Sequence, residues 1–459
     1  MSIVNPEFRR NVWLELTPAR LGVSMLGVVA ILALVGSRSS SSAELNEAAE
    51  FVFALVVFFW GGQLAAEAVV QEIVERTWDS QRMSALGPWS MSWGKLFGAP
   101  ICAWAAALPA LAAMIHAASD PWSGLRQAAT YVLLGVLCHA VSLALSLQSI
   151  RKGRQPGRVK TLFFQLAGLG VVLPFAYLLV WRERWLDGAG LYWFSLGLSV
   201  ESFALLSALL FAAWAVLGVY RQMRLELQKP TAPTAWLAFL AFLVLYQTGL
   251  IFGGMRGLDR AIQDLTDFSV IGAEPVTVAL LAAGILLQTL VYVAIFTEPK
   301  SMIGLRQAWD AFARGDWRGI WLRMPRWALT LKLTAIAVIL ILAFVRLPQT
   351  VSAADADLFR LAIASFLFLL RNVGIVLLCN FWSPSGRGDM AALIVLSVLV
   401  LIAPAIFAGA PEAVAALFLP PIGAGWAATL VPIGAQLVLV GGLLARVWIK
   451  SERARRTQA

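Results

Sequence analysis

The stretch that decides the fold is FVFALVVFFWGGQLAAEAVV, from Phe51 to Val70, in which Glu67 is the single charged residue. A helix of about 20 apolar residues is long enough to cross a hydrocarbon core about 30 Å thick. The rest of the chain resembles this stretch, since 60% of its 459 residues are hydrophobic and 14% are charged. Soluble proteins are about 45–50% apolar and about 25% charged. The composition therefore excludes a soluble multidomain protein.

Eleven other stretches have a similar length and composition, five in the first half of the chain and six in the second. They are Leu21–Gly36, Phe97–Ala117, Ala128–Ser149, Thr161–Trp181, Ser202–Tyr220, Ala235–Gly254, Val276–Phe296, Ala328–Val345, Leu361–Trp382, Ala391–Ala410 and Ala424–Ala445. Together they predict an all-α, polytopic transmembrane helical bundle of about twelve spans. Ser37–Ser42 follows the first span as a signal-peptide cleavage site would, but the preceding segment is long, mixed in charge and contains Trp and Pro. We expect the first span to be retained.

The distribution of the 36 Lys and Arg residues predicts the orientation of the bundle. On one alternating side of the predicted spans there are 27 and on the other 8, while Arg371 falls inside a span. Cytoplasmic loops contain the excess of Lys and Arg, so the N- and C-termini are predicted to be cytoplasmic. Anionic lipid headgroups and topology account for the net charge of +10. Because no basic patch forms a separate domain, we expect no nucleic-acid binding.

Few side chains in the sequence suit catalysis or metal binding. Cys102, Cys138 and Cys379 all lie inside predicted spans and have no CxxC spacing. His116 and His139 alone supply too few ligands for a metal, and we expect both to hydrogen-bond to neighbouring helices. The sequence contains no GxxxxGK[ST], GxSxG or HExxH motif. We therefore expect no catalytic residue, no metal and no cofactor in this chain.

The segment before the first span has the pattern of a short amphipathic helix. Phe8, Val12 and Leu16 recur at i, i+4 and i+8, and Trp13 suits the membrane interface. The charged positions on its other faces are Glu7, Arg9, Arg10 and Glu15. Pro18 ends the helix before the first span. One interpretation is a juxtamembrane anchor without a further role.

The loop after the second span, Glu75–Leu96, reads ERTWDSQRMSALGPWSMSWGKL. It consists of a polar extension of the second span, a break at Gly87-Pro88 and a Trp-rich segment that enters the third span. Such a loop can lie flat on the membrane and present a rigid face to a soluble partner.

With these two segments in this order, the chain resembles the membrane subunits of ABC-2-type ABC transporters. In that family an amphipathic elbow helix precedes the first span, and a coupling helix between spans two and three docks on the ATPase. Glu75-Arg76, Pro88 and Gly94-Lys95 match the family's loop in order and spacing, whereas Asp79-Ser80 replaces its Gly-Thr pair. The coupling residues that the resemblance implies are Glu75, Arg76, Asp79, Arg82, Pro88, Gly94 and Lys95. Those of the elbow helix are Arg9, Arg10, Trp13 and Glu15.

The resemblance extends to about Gln228 and implies a transport subunit of the bacterial inner membrane. Its partners would be membrane lipid and a soluble ABC ATPase that holds ATP and Mg²⁺. The chain would form either a complete transmembrane unit or half of a homodimer. In this family Arg182–Val200 often forms short outer-leaflet helices, and Trp185, Tyr192 and Trp193 suit an interfacial position.

The second half of the chain is a divergent echo of the first, with six predicted spans. We divide the chain into an elbow helix (1–20), a first half (21–228), a second half (229–447) and a basic cytoplasmic tail (448–459). The longest loop of the second half, Thr297–Trp327, again follows its second span. Its candidate residues are Arg306, Trp309, Trp317 and Trp321. This loop is either an interfacial helix pair or a second ATPase-docking element. Because no intact elbow precedes the seventh span, the second half is either scaffold or a second transport half.

Polar residues within the spans are scarce. Apart from Lys332, which is counted with the preceding cytoplasmic loop, the charged ones are Glu67, toward the cytoplasmic end of its span, and Arg371, near the middle of another. Because Arg371 costs about 2.5–3.5 kcal/mol or more in lipid, it is expected to face protein or a wet cavity. Bonds to helix-end carbonyls or an amide, and contact with substrate, both remain open for it.

Three functions follow from this sequence. The first is a permease subunit that forms the translocation path and is powered by a separate ATPase. The second is an ion-coupled secondary transporter, which the scarcity of buried acids disfavours. The third is a non-catalytic membrane scaffold subunit of a complex.

Overall fold

The chain folds into a polytopic bundle of α-helices, as the sequence predicts. The computed structural model describes residues 5–39, 41–152, 158–180, 191–229, 231–258, 275–344, 352–382, 387–407, 414, 416–419 and 425–456. The chain divides into two compact units. The first comprises Met1–Leu191 and Leu196–Thr231, and the second comprises Tyr192–Ser195 and Ala232–Ala459.

The first unit contains twelve α-helices, one π-helical segment and one short strand among its described residues. The α-helices are α1 (Pro6–Glu15), α2 (Pro18–Gly36), α3 (Ser42–Phe53), α4 (Gly62–Glu67), α5 (Val70–Val74), α6 (Trp78–Arg82), α7 (Pro88–Gly98), α8 (Ile101–Ala106), α9 (Leu108–Ala117), α10 (Pro121–Arg151), α11 (Arg158–Val180) and α12 (Val200–Glu226). The π-helical segment Ala54–Gly61 joins α3 to α4, and strand β2 is Leu196–Leu198. Strand β1, Leu191–Trp193, pairs with β2.

The described residues of the second unit form nine α-helices and a second π-helical segment. The α-helices are α13 (Thr234–Leu258), α14 (Pro275–Thr297), α15 (Met302–Ala313), α16 (Trp317–Arg323), α17 (Arg326–Phe344), α18 (Ser352–Trp382), α19 (Gly388–Ser397), α20 (Ala403–Ile406) and α21 (Trp426–Arg456). The π-helical segment Val398–Ile402 joins α19 to α20.

Ten helical stretches of the described residues are long and apolar enough to cross a membrane. An eleventh results if Pro88–Gly98 and Ile101–Ala117, which are bent by 43° at a short break, count as one span. The helix α11 covers the predicted fifth span. Its apolar piece Thr161–Phe175 is too short to be counted among the ten. The count of twelve spans and the cytoplasmic position of the termini therefore remain predictions.

The core of the first unit lies around α10, which packs against α9, α11, α12 and the π-helical segment. Phe53 meets Tyr131 edge-on at 5.8 Å between ring centroids, and Phe58 stacks on the same ring at 6.0 Å. A π-helix is wider than an α-helix, and such segments occur most often at functional sites. In the second unit α14 packs against α17, and α18 packs against α21.

Three carbonyls of the π-helical segment Ala54–Gly61 accept hydrogen bonds from side chains of neighbouring helices. His139 Nε2 lies 2.8 Å from the Val57 oxygen, and Gln165 Nε2 donates to Phe59 over 2.8 Å. Cys138 Sγ donates to the Phe58 oxygen over 3.4 Å. The prediction that His139 bonds to a neighbouring helix is confirmed.

The segment before α12 differs from the expectation. Short outer-leaflet helices were expected over Arg182–Val200. Residues 182–190 lie outside the described residues, and residues 191–198 form the β1–β2 hairpin in place of a helix. Trp193 donates from its indole nitrogen to the Tyr246 oxygen over 3.1 Å, and the Phe194 N–H donates to the Gly249 oxygen over 2.8 Å. These two hydrogen bonds attach Trp193 and Phe194 to α13. Trp185 and the predicted span ends at Trp181, Val345, Ala410 and Ala424 lie outside the described residues.

Candidate functional site

Two glycines of α7 allow the N-terminal helix α1 to dock closely on it. A Cβ on Gly94 would lie 2.5 Å from Glu7 Cγ and 2.8 Å from the Phe8 nitrogen, and one on Gly98 would lie 2.8 Å from Asn11 Cβ. Real Cβ atoms essentially never approach this closely, so α1 can reach α7 only where side chains are absent. Glycine at these two positions is therefore required by the docking itself.

Hydrogen bonds at both ends hold α1 in this position. Asn5 is the N-cap of α1, and its side-chain oxygen accepts from the Glu7 nitrogen over 3.0 Å. The same side chain donates to the Ser90 oxygen over 2.7 Å and accepts from the Ser90 hydroxyl over 2.7 Å. Further along α1, Asn11 donates to the Gly94 oxygen over 3.3 Å. The buried residues of α1 are Glu7 and Asn11, so the helix docks through polar side chains.

The ammonium of Lys95 lies at the centre of this contact. It is 3.1 Å from Glu7 Oε1, 2.5 Å from Glu72 Oε2 and 3.1 Å from Gln81 Oε1. It also lies 5.3 Å from the ring centroid of Trp78, which is a favourable cation–π distance. The Lys95 side chain is only 1% exposed. The buried cation of Lys95 thus joins its own helix α7 to α1, α5 and α6.

Arg10 completes the charge balance. Its guanidinium donates to Glu72 Oε1 and lies 3.4 Å from Glu7 Oε1. Gln81 donates to the same Glu72 oxygen over 2.8 Å. We call Glu7, Arg10, Glu72, Gln81 and Lys95 the loop–elbow cluster. Its two carboxylates and two cations neutralise each other, and removing one partner of such a buried pair costs about 3–5 kcal/mol.

The loop that this cluster fixes presents a polar face to solvent. Glu75, Arg76, Asp79 and Ser80 are exposed, and Met83 is 88% exposed. The backbone of Arg76 is left-handed, with φ 59°, a conformation that costs free energy for a residue with a side chain. The turn is closed by the Thr77 nitrogen, which donates to the Glu72 oxygen over 2.8 Å. The loop is therefore held rigidly from below while its outer face stays accessible.

No family model, curated protein or solved structure matches this chain. Its function must therefore be argued from the geometry of its own residues.

The structure divides the residues singled out in the loop into two groups. Gly94 and Lys95 are buried in the contact with α1, and Pro88 is the first residue of α7. Glu75, Arg76 and Asp79 are exposed. Arg82 is half-buried and lies 3.4 Å from Asp79. The first group positions the loop, and the second forms its outer face.

The residues singled out in α1 are distributed in a similar way. Arg10 belongs to the loop–elbow cluster, whereas Arg9 and Trp13 are exposed. Glu15 lies 2.8 Å from Arg20, the third residue of α2, and so stabilises the corner between the two helices. Among the charged residues of α1, Glu7 pairs with Lys95 of the loop, and Arg10 pairs with Glu72, which lies just before the loop.

The second predicted loop forms the helix pair α15 and α16. Arg306 contacts the last turns of α21: it donates to the Ser451 hydroxyl and lies 3.6 Å from Glu452 Oε2. Trp309 and Trp317 are exposed, and Trp321 is half-buried. The pair therefore contacts α21 through Arg306 and leaves Trp309 and Trp317 accessible.

The two charged residues within the predicted spans have different surroundings. Glu67 accepts from Gln63 over 3.3 Å and from Gln71 over 3.2 Å, and it lines a cavity of about 720 Å³ with Gln165. The guanidinium of Arg371 is buried, and its contacts are with protein. The acceptors of its hydrogen bonds are Asn372 Oδ1 at 2.8 Å, Gln436 Oε1 at 2.8 Å and the Leu417 oxygen at 3.2 Å.

Sequence reasoning missed the partners of Lys95. Glu7 was identified only as a charged residue of the elbow helix, and Glu72 was not among the residues singled out. The pairs are separated by 88 and 23 residues along the chain. The available signal was a Lys directly after a Gly at the entry to an apolar span, because such a cation requires an acid nearby.

Proposed function

We propose that this chain is the membrane subunit of an ABC-type transporter and that it couples to a separate ATPase through the loop Glu75–Lys95. The observation on which the proposal depends is the loop–elbow cluster. It attaches an exposed polar loop rigidly to α1 and to the helices of the first unit. A force applied to such a loop by a soluble partner is transmitted to the spans rather than absorbed locally.

The proposal is further supported by the composition of the loop's outer face. Its exposed charges, Glu75, Arg76 and Asp79, alternate in sign, and the exposed Met83 adds an apolar contact. Charges of both signs around an apolar centre are typical of protein interfaces. ATP and Mg²⁺ would bind to the partner, because this chain has no phosphate-binding motif.

The direct test is the ATPase rate of a reconstituted complex. The adjacent open reading frame is tested for a soluble protein with GxxxxGK[ST], and the chain is purified with that protein and reconstituted in lipid nanodiscs. Ser80→Arg places a bulky cation on the exposed face of α6 and leaves the loop–elbow cluster unchanged. We expect it to lower the chain-stimulated ATPase rate about tenfold, as the loss of about 1.4 kcal/mol of interface free energy would.

The matched control is Glu47→Arg, on an exposed position of α3 on the opposite predicted side of the membrane. It is expected to leave the stimulated rate unchanged. The proposal is wrong if no ATPase co-purifies in mild detergent, or if both variants reduce the rate equally.

A second candidate function, an ion-coupled transporter, is favoured by the cavity around Glu67. A carboxylate that lines a cavity within a span can bind a coupling cation. If this function is correct, transport survives ATP depletion, collapses with the ion gradient and is abolished by Glu67→Gln but not by Glu47→Gln. Transport that stops on ATP depletion while the gradient persists excludes it.

A further inference from the structure

A cavity of about 600 Å³ lies at the ends of α10 and α12, beside α6. Its lining includes Arg76, Trp78, Arg82, Arg151 and Glu226. A smaller adjoining cavity shares Arg82 and Glu226 with it. The cavity shares Arg76, Asp79 and Arg82 with the loop that the proposed function assigns to an ATPase, whereas Arg151 and Glu226 have no part in that proposal.

Two buried polar atoms at this cavity have no hydrogen-bond partner within the described part of the chain. They are Glu226 Oε1, an acceptor, and Trp78 Nε1, a donor. Glu226 is 7% exposed and Trp78 is 4% exposed. Buried polar groups in native proteins are almost always hydrogen-bonded, so each of these atoms is a candidate contact for a water, an ion or a ligand. A ligand that fits here must donate to a carboxylate and accept from an indole N–H.

The rest of the charged lining consists of three cations and one anion, Asp79, which lies 3.4 Å from Arg82. Arg76, Arg82 and Arg151 all line the cavity, and Arg82 and Arg151 both act electrostatically on Glu226. Among the residues that the structure describes, three non-glycine residues have left-handed backbones, and two of them, Arg76 and Gln228, also lie on this lining. Such conformations cost free energy and concentrate at binding sites. The site therefore combines one deep carboxylate with guanidinium groups, which suits a ligand that has both charges.

The predicted spans place the cavity in the headgroup region on the cytoplasmic side of the membrane. Trp89 packs against Tyr220 of α12 at 5.7 Å between ring centroids, and aromatic rings of this kind mark the membrane–water interface. Glu226 follows Tyr220 by six residues, which is about 9 Å along a helix. Glu226 thus lies about one and a half turns beyond the aromatic ring, toward the predicted cytoplasm.

We propose that this cavity binds a zwitterionic phosphoethanolamine group. The ammonium donates to Glu226, the phosphate lies among Arg76, Arg82 and Arg151, and the Trp78 indole donates to a phosphate oxygen. A choline group has no N–H and cannot donate to Glu226. The ligand is either the headgroup of phosphatidylethanolamine or a soluble phosphoethanolamine compound, which have the same chemistry.

The test uses the full chain in nanodiscs and measures lipid retention by native mass spectrometry. Equal amounts of phosphatidylethanolamine and phosphatidylcholine are offered. We expect the wild-type chain to retain phosphatidylethanolamine about tenfold better, the equivalent of about 1.4 kcal/mol. Glu226→Gln is expected to abolish this preference, and Arg82→Gln is expected to weaken retention of both lipids. The control Glu47→Gln leaves the preference intact.

A second arm distinguishes the two sources of the ligand. O-phosphoethanolamine is added to the wild-type chain in nanodiscs of phosphatidylcholine alone, and the Tm is measured. A higher Tm than with phosphocholine assigns the site to a soluble compound. Stabilisation only by phosphatidylethanolamine in the disc assigns it to the lipid headgroup.

The proposal also has a test that needs no variant. In the wild-type chain, stepwise N-methylation of phosphatidylethanolamine removes one donor at a time, and retention should fall most at the last methyl group. Equal retention of phosphatidylethanolamine and phosphatidylcholine, without a response to O-phosphoethanolamine, overturns the proposal. No ATPase is involved in any of these measurements, so they are independent of the proposed function.

Discussion

At the scale of single residues, Lys95 is the buried cation that links α1 to the loop. Its ammonium joins Glu7, Glu72 and Gln81, which belong to three different segments. A Lys buried without acids would be costly, whereas this one is paired twice and hydrogen-bonded. The cluster therefore depends on all of its members at once.

The first prediction concerns this cation. Lys95→Met leaves the carboxylates of Glu7 and Glu72 buried beside an apolar side chain, so the free energy of unfolding should fall by about 3–5 kcal/mol. The Tm in detergent measures the effect. Lys229→Met, on an exposed residue after α12, is the control and should leave the Tm unchanged. Equal Tm values for the two variants would show that the cluster does not stabilise the fold.

The second prediction concerns Arg371. Arg371→Leu removes a costly charge from a predicted span but leaves the Asn372 and Gln436 oxygens without this donor, at about 1–3 kcal/mol for each group. We expect normal insertion, a lower Tm and intact transport, because the hydrogen-bond partners of Arg371 are all protein groups. An exposed control, Arg318→Leu, should change neither property. A normal Tm with lost transport would instead assign Arg371 to substrate binding.

Single residues also mark the limit of sequence reasoning. Gly94-Lys95 could be singled out from the sequence, because the pair stands at the entry to a span. Its role could not, since Glu7 lies 88 residues away and no local pattern connects the two. The amphipathic pattern of α1 predicted the helix correctly, but the face that docks is the one with Glu7 and Asn11.

At the scale of secondary-structure elements, the contact of α1 with α7 is the feature most open to test. The two helices approach closely along Gly94 and Gly98. Gly94→Ala should therefore displace α1. The measurement is the rate of disulfide formation between cysteines placed at Asn5 and Ser90, whose side chains hydrogen-bond over 2.7 Å.

We expect Gly94→Ala to lower this rate about tenfold, which corresponds to a shift of about 1.4 kcal/mol in the docking equilibrium. Gly87→Ala is the matched control, because a Cβ there would meet nothing within 4 Å and its backbone is extended. An unchanged rate in Gly94→Ala would mean that α1 does not dock on α7 through these glycines.

Two elements were not predicted from the sequence, each for its own physical reason. Apolar length predicts a helix in lipid but does not distinguish an α-helix from a π-helix, so Ala54–Gly61 could not be recognised. Its carbonyls are satisfied by side chains distant in sequence, such as His139 and Gln165. The β1–β2 hairpin was missed because β1 and β2 have only three residues each, too few for a period to emerge.

At the scale of the whole molecule, composition was sufficient for the fold class. A chain with 60% hydrophobic residues and repeated stretches of about 20 residues can satisfy its backbone in lipid only as helices or a closed barrel. The helical bundle is the outcome. Composition could not predict where spans bend, as at the 43° break between α7 and α8, because local packing decides this.

The central claim is that the loop Glu75–Lys95 couples this chain to an ATPase. The most direct measurement is substrate-independent ATPase activity of the co-purified partner in nanodiscs, with wild-type chain, Ser80→Arg and Glu47→Arg compared side by side. We predict stimulation by wild type and Glu47→Arg and about a tenfold loss with Ser80→Arg. A partner ATPase whose rate is the same with all three chains, or with empty nanodiscs, would contradict the account.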